Sequence, residues 1–189
     1  SVAVIDTAAL FSDWDLDGSY DESAAVHIQL EGETAVCDSD AVSIDGSRIT
    51  LLDEGTYLVS GALTDGQIVV DAGDTDKVQI VLAGASLTCA DSAAIYSKSA
   101  DKVFLTLAEG TENTLTNGGS YIAIDENNID SVVFSKTDLT LNGSGSLTID
   151  AQAGHGVVSK DELTITGGSY TVTAAEHGMT GKDSLAVAG

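Results

Sequence analysis

Proline is absent from the chain. No residue therefore lacks the backbone N–H that an interior sheet ladder requires. Basic residues are scarce, with seven Lys and Arg against 30 Asp and Glu, for a formal net charge of -23. Such a chain repels phosphate backbones and anionic headgroups, which excludes nucleic acid and membrane surfaces as natural partners. No apolar run approaches the roughly 20 residues of a helical membrane span, so membrane insertion is not expected. No signal peptide is visible. Two cysteines, Cys37 and Cys89, are too few for a disulfide framework, although the sequence leaves open a bond between them. Aromatics amount to one Trp, five Tyr and three Phe, so few rings are on offer for packing or for a ligand. The motifs G-x-S-x-G and HExxH and a phosphate-cradling glycine loop are all missing.

What is present is repetition. Hydrophobic residues make up 43% of 189 positions, enough for one core and a single domain over residues 1–189. Taking the first apolar residue after each acidic step as an anchor gives Val78, Val103, Leu139, Leu163 and Leu185, spaced 25, 36, 24 and 22 residues apart. The long step contains an extra polar segment, "DENNID", and places an insertion near 122–135. Two positions beyond the anchors stand Ile80, Leu105, Leu141, Ile165 and Val187. A second column set follows glycine in "GASLTC", "GSLTI" and "GSYTV", which puts Cys89 level with Ile149 and Val172 as a small buried hydrophobe. The alternation has period two, so the segments are short strands. Short strands, glycine and Asn/Asp corners and a repeat of about 22–25 residues predict an all-β right-handed parallel β-helix, a solenoid whose stacked coils bury what one coil cannot. Residues 1–40 form an acidic capping region and 41–189 the coils, with earlier copies in "VSIDGSRITLL", "GTYLVSGAL" and "GQIVVDAG". The copy ending at Gly189 leaves an open edge, so the expectation is that further coils follow. A β-sandwich would supply similar turn spacing but gives no reason for column-by-column repetition.

Several columns carry chemistry. Asp76, Asp101, Asp161 and Asp183 align two before the anchors, as turn residues or, with cations between them, as metal ligands. Lys136, Lys160 and Lys182 form a neighbouring column, into which Lys98 fits with a two-residue offset. That column could neutralise the aspartates or face an acidic or hydroxylated polymer. His155 and His177 each stand five before a column lysine, so they stack on one face and offer sugar or metal contacts. Asp13, Asp15, Asp17 and Gly18 carry the first half of an EF-hand spacing, but Ala24 stands where the bidentate Glu belongs, which leaves a non-EF calcium loop or a solvated acidic loop. Asp125, Asn127 and Asp130 in the insertion are a second cluster of oxygen donors. Trp14 and the tyrosines offer sugar-stacking faces or core packing. Thr-x-Thr pairs occur in only some copies, which argues against an ice-binding face.

In their combined order, "DLDGSYDES", "GTYLVSG", "TDGQIVVDA", "ADKVFLTLAEGTENTLT", "FSKTDLTLNGSGSLTI", "SKDELTITGGSYTV" and "GMTGKDSLAV" resemble a family of secreted clostridial carbohydrate-binding β-helix proteins. The resemblance implies a pectate-lyase-like fold, calcium as cofactor, an extracellular or cell-surface location, and attachment to plant cell-wall polysaccharide, chiefly acidic pectin and also cellulose. Where that family more often carries an acid before glycine, this chain has His155 and His177, which puts calcium at those two positions in doubt.

Three functions follow as expectations. The first is a non-catalytic, calcium-assisted binder of acidic pectin (polygalacturonate), with cellulose as a second glycan; the net charge would otherwise repel a polyuronate. The second is a lyase in which calcium acidifies the proton beside a uronate carboxylate and Lys160 or Lys182 removes it. Against it, the lysines are repeated column members and the sole arginine, Arg48, lies in an early copy. The third is a surface rod or adhesin with no glycan affinity.

Overall fold

Residues 10–188 are described by the computed structural model. Apart from one short helix, α1 (Asp13–Leu16), the regular elements are strands. The first are β1 (Val26–Gly32), β2 (Ala35–Val36), β3 (Val42–Asp45), β4 (Arg48–Leu51), β5 (Gly55–Leu63), β6 (Gln67–Asp71), β7 (Lys77–Cys89) and β8 (Ile95–Ser99). Three rounds of a repeating unit follow. They are β9 (Lys102–Leu107), β10 (Glu112–Asn117) and β11 (Ser131–Ser135), then β12 (Asp138–Gly143), β13 (Ser146–Ala151) and β14 (His155–Ser159), then β15 (Glu162–Ile165), β16 (Ser169–Ala174) and β17 (Met179–Gly181). A last strand is β18 (Ser184–Val187).

Each strand of a round pairs in parallel with its counterpart in the next. The path β9-β12-β15-β18 forms one wing of an 11-stranded sheet, β10-β13-β16 forms another, and the long β7 joins them. Third strands run β8-β11-β14-β17 in a separate seven-stranded sheet. The chain is therefore all-β with parallel sheets. Its anchor register is unbroken, Val78 beside Val103, Leu139, Leu163 and Leu185. The first four are buried, while Leu185 on the last rung is 49% exposed. Each fully buried Leu or Val contributes about 1.5–3 kcal/mol of transfer free energy, so stacking supplies most of a rung's stability.

The strand register and bounds correct several readings. Leu87 pairs with Leu115 and Leu115 with Ile149, so Cys89 sits in the column of Asn117, Ala151 and Ala174 and not with Ile149 and Val172. The slip is two residues, and Cys89 remains buried and unbridged, as Cys37 is also free. The intermediate strand β10 escapes the triplet pattern because Asn113 and Asn117 take two of its three inward positions, on either side of Leu115. Asn113 is buried and satisfied, accepting from Gly84 and Ala85 N–H at 3.0 and 2.9 Å and donating to Ser146 O at 3.1 Å. Lys98 needs no offset, since Ser97 and Ser135 are paired and the lysines that follow them fall in one column on successive rungs. "VSIDGSRITLL" is an antiparallel hairpin, with Gly46 at φ +59 in its two-residue loop. The parallel ladder also starts earlier than residue 41, because β1 already pairs with β5, and the insertion ends at residue 130, just before β11.

Two segments cover the outer faces of these sheets. Outward Val69, Tyr96, Phe134 and Val158 on the seven-stranded sheet gather with Ile129, Tyr121 and Ile124 of the insertion into a second apolar cluster. On the other sheet, α1 and the residues after it lie across the outward side of β12.

Candidate functional site: a groove beside the N-terminal strap

The outward column between the anchors reads Thr56, Gln79, Phe104, Thr140, Thr164 along β5, β7, β9, β12 and β15. Residues 12–19 cover its second half. Ser12 caps α1 and closes a capping box with Asp15, donating its backbone N–H and hydroxyl to Oδ2 at 2.9 and 2.7 Å. That fixes Asp15 pointing at the sheet, where it is 3% exposed. Its Oδ1 meets Lys102 Nζ at 2.7 Å and accepts from Thr140 Oγ1 at 2.5 Å, while its carbonyl accepts from Thr166 Oγ1. Burial alone would raise the Asp15 pKa, but the hydrogen bonds from Lys102, Thr140 and Ser12 outweigh it and hold the carboxyl at about 2. Gly18 then lies against the Gly143 backbone, where a Cβ would come within 2.6 Å of Gly143 N. The glycine of the acidic motif thus serves a close backbone approach.

The first half of the column is partly open: Thr56 and Gln79 are half-buried, while Phe104 is buried at 3% exposure beside Trp14 and Lys102. Trp14 stands 63% exposed at the edge of the strap, its ring 5.9 Å from that of Phe104 at 43°. Lys102 Nζ lies 5.5 Å from the Phe104 ring centre. A cleft of about 370 Å³ runs over Thr56, Gln79 and Phe104 between Trp14, Asp13 and Asp17. An adjoining one of about 500 Å³ shares that floor and reaches Glu54, Thr75 and Lys77. A polar chain connects floor to strap. Thr56 Oγ1 donates to Gln79 Oε1 at 2.9 Å, Gln79 Nε2 to Thr106 Oγ1 at 3.0 Å and to Ser19 O at 3.2 Å, Thr106 Oγ1 to Asn142 Oδ1 at 2.6 Å, and Asn142 Nδ2 to Asp17 O at 3.4 Å. Orientation of the floor amide is thereby set by a network on three other strands and the strap. A ring face beside fixed hydroxyl and amide groups suits a sugar, which has an apolar C–H face and a polar rim.

The sequence candidates fall partly inside this groove. Asp13 and Asp17 line it, whereas Asp15 turns away into the sheet. Asp125 accepts from the Tyr96 hydroxyl at 2.8 Å and from the backbone and side-chain nitrogens of Asn127, each at 2.8 Å. Burial raises its pKa, but these bonds bring it below the ordinary carboxylate range. Asp161 and Asp183 stack through their backbones, Asp183 N to Asp161 O at 3.1 Å. Lys136, Lys160 and Lys182 do form a column, each donating its backbone N–H one rung back to Ser97, Ser135 and Ser159, at the far end of the third strands. Lys160 Nζ lies 3.8 Å from Asp130 Oδ2, which is 4.0 Å from His155 Nε2. His155 and His177 stack with ring centres 5.0 Å apart. Tyr57 and Tyr96 are fully buried. Arg48 sits in a separate polar cleft with Asp45, Asp65 and Asp91. The groove residues that sequence reasoning passed over are Thr56, Gln79, Phe104, Lys77 and Lys102. A readable signal was Phe104, the one aromatic at an outward position that three other copies fill with threonine, at Thr56, Thr140 and Thr164.

Residues 45–189 match the model of a family described as carbohydrate-binding domain-containing protein. A protein of that description from Acetivibrio thermocellus is 38% identical over 137 residues, covering 71% of this chain and 48% of the relative. The chain thus spans about half the length of that relative. Among solved structures, a polysaccharide lyase-like protein from C. thermocellum, a gadolinium derivative, superimposes with a TM-score of 0.83 at 34% identity, over 86% of this chain and 67% of the other.

Proposed function

The chain belongs to the carbohydrate-binding-domain family, and from that premise we propose that it is a non-catalytic binder of plant cell-wall polysaccharide that seats a glycan in the groove beside Trp14. The observation that carries this reading is the groove itself, where the exposed indole of Trp14 stands beside the half-buried Thr56–Gln79 pair, with the buried Phe104 at its base. Acidic pectin is the preferred ligand with calcium, and cellulose the second. Asp13, Asp17 and Glu54 at the rim repel a uronate unless a hard divalent cation bridges carboxylate to carboxylate. Calcium in this reading is held between protein and glycan. The three-strand repeat fits a right-handed parallel β-helix, and the clostridial resemblance fits secretion.

A lyase reading finds less support. Lys77 is paired with Asp101 at 2.5 Å and Lys102 with Asp15, so each groove lysine is engaged by a carboxylate, and a general base requires a free pair. Calorimetric titration of polygalacturonate, and separately of cello-oligosaccharides, into the metal-stripped protein with and without millimolar calcium tests the proposal. An ultraviolet assay for unsaturated product belongs in the same cells. Calcium-dependent heat with polygalacturonate and flat absorbance is the expected result. Rising absorbance would make the protein a lyase, and no heat with either glycan would leave a rod.

A further inference from the structure

Away from the groove, the corner leading into β14 and β17 brings His155 and His177 onto successive rungs, with Gly156 N donating to His177 O at 3.0 Å. The rings stack at 23°, and their Nδ1 atoms face each other at 3.2 Å. The His177 backbone N–H also points at His155 Nδ1, at 3.1 Å. His155 Nδ1 is therefore the unprotonated nitrogen, and its proton resides on Nε2, which faces Glu176 Oε2 at 3.3 Å and Asp130 Oδ2 at 4.0 Å. One lone pair cannot serve two donors well, so a proton on His177 Nδ1 competes with the backbone N–H for the same acceptor.

A metal ion that takes the lone pair of each Nδ1 replaces the ring-to-ring contact and leaves the N–H of the exposed His177 to water. Two imidazole nitrogens bound to one ion at about 2.0–2.1 Å lie roughly 2.9–3.4 Å apart for angles between square and tetrahedral, and the observed separation falls in that interval. One donor atom from each of His155, Glu176 and His177 lies within 4.8 Å of the others. A carboxylate on the far ring nitrogen orients a ligating histidine; Asp130, with Oδ2 4.0 Å from His155 Nε2 and Oδ1 buried without a partner, stands at that position. Gly154, on the rung between Asp130 and Glu176, has φ +59, and a Cβ there would lie 2.2 Å from Asp130 O. The corner thus admits no side chain that would part the two acids.

We propose that His155 and His177 chelate one first-row transition ion, with zinc as the prototype, through their Nδ1 atoms, and that the exposed Glu176 carboxylate completes the protein's donors. The ion clips adjacent rungs together near the least buried end of the ladder. Imidazole nitrogen selects zinc, copper or nickel over calcium, which takes oxygen.

The test is calorimetric titration of Zn²⁺ and, separately, Ca²⁺ into the chelator-treated protein, repeated with His177→Gln, Glu176→Gln and, as a control outside the corner, His27→Gln. One zinc per chain is expected, with affinity lowered roughly 100-fold in His177→Gln and roughly tenfold in Glu176→Gln. His27→Gln should be unchanged, and calcium should not compete. Copper bound in place of zinc should show spin-resonance coupling to two nitrogens. Circular dichroism of each variant separates loss of the ion from loss of the fold. Absence of zinc binding, wild-type zinc affinity in a folded His177→Gln variant, or a copper spectrum without two-nitrogen coupling would overturn the proposal.

Discussion

The two sheets are covered in different ways, and the difference locates the groove. Over the seven-stranded sheet the insertion closes with apolar side chains, Ile129, Ile124 and Tyr121 against Val69, Tyr96, Phe134 and Val158. Over the larger sheet the strap closes with one buried carboxylate, Asp15, held by Lys102, Thr140 and Ser12. An apolar cover seals whatever it touches, because contact and burial are non-directional. A polar cover can be placed only where its hydrogen bonds are met, and it ends where they end. The strap therefore reaches this half of the column only through Trp14 beside Phe104 and Ser19 O on Gln79, and it leaves a cleft over Thr56 and Gln79 with Trp14 at its edge.

Removing Asp15 breaks that comparison most severely. Asp15→Ala leaves Lys102, whose side chain is 16% exposed, without its partner, and should cost about 4 kcal/mol in chemical denaturation. A loss under about 1 kcal/mol would mean that the strap is not fixed by this contact. In the apolar cover, Ile129→Ala should cost about 3 kcal/mol by leaving a cavity, with no change in glycan affinity, so altered affinity would place part of the site on the wrong sheet.

Acid sharpens the same contrast. Because the Asp15 carboxyl is held at about 2 against an ordinary 3.8, its contribution is complete above about pH 4, is lost progressively as the pH falls toward 2, and is gone below both values. The melting temperature should thus fall more between pH 4 and pH 2 in the wild type than in Asp15→Asn. Equal falls would assign the acid sensitivity to other carboxylates.

Much of this fold was legible because the anchor positions face inward and repeat. Val78, Val103, Leu139, Leu163 and Leu185 pair in the register their spacing implied. Hairpin β3–β4 and strand β10 were not legible. The first has the same alternation as a parallel strand, and the second places Asn113 and Asn117 where the pattern looks for apolar residues. The groove was less legible still. Asp13, Asp15 and Asp17 read as equivalent acids, and only the capping box with Ser12 distinguishes the one that turns inward. Its partners Lys102, Thr140 and Thr166 lie more than eighty residues away, a separation that spacing arguments do not cross.

The smallest effect on stability belongs to Trp14→Ala, within about 0.5 kcal/mol for so exposed a side chain, yet it should weaken glycan binding roughly 30-fold if the indole is the anchor of the site. Trp14 is the sole tryptophan, so its fluorescence reports the groove alone. Emission followed during titration with polygalacturonate in calcium, and with cello-oligosaccharides, should change saturably with the midpoint that calorimetry gives for the bound glycan. Calorimetric binding with unchanged Trp14 emission would place the glycan elsewhere and contradict the assignment of the groove.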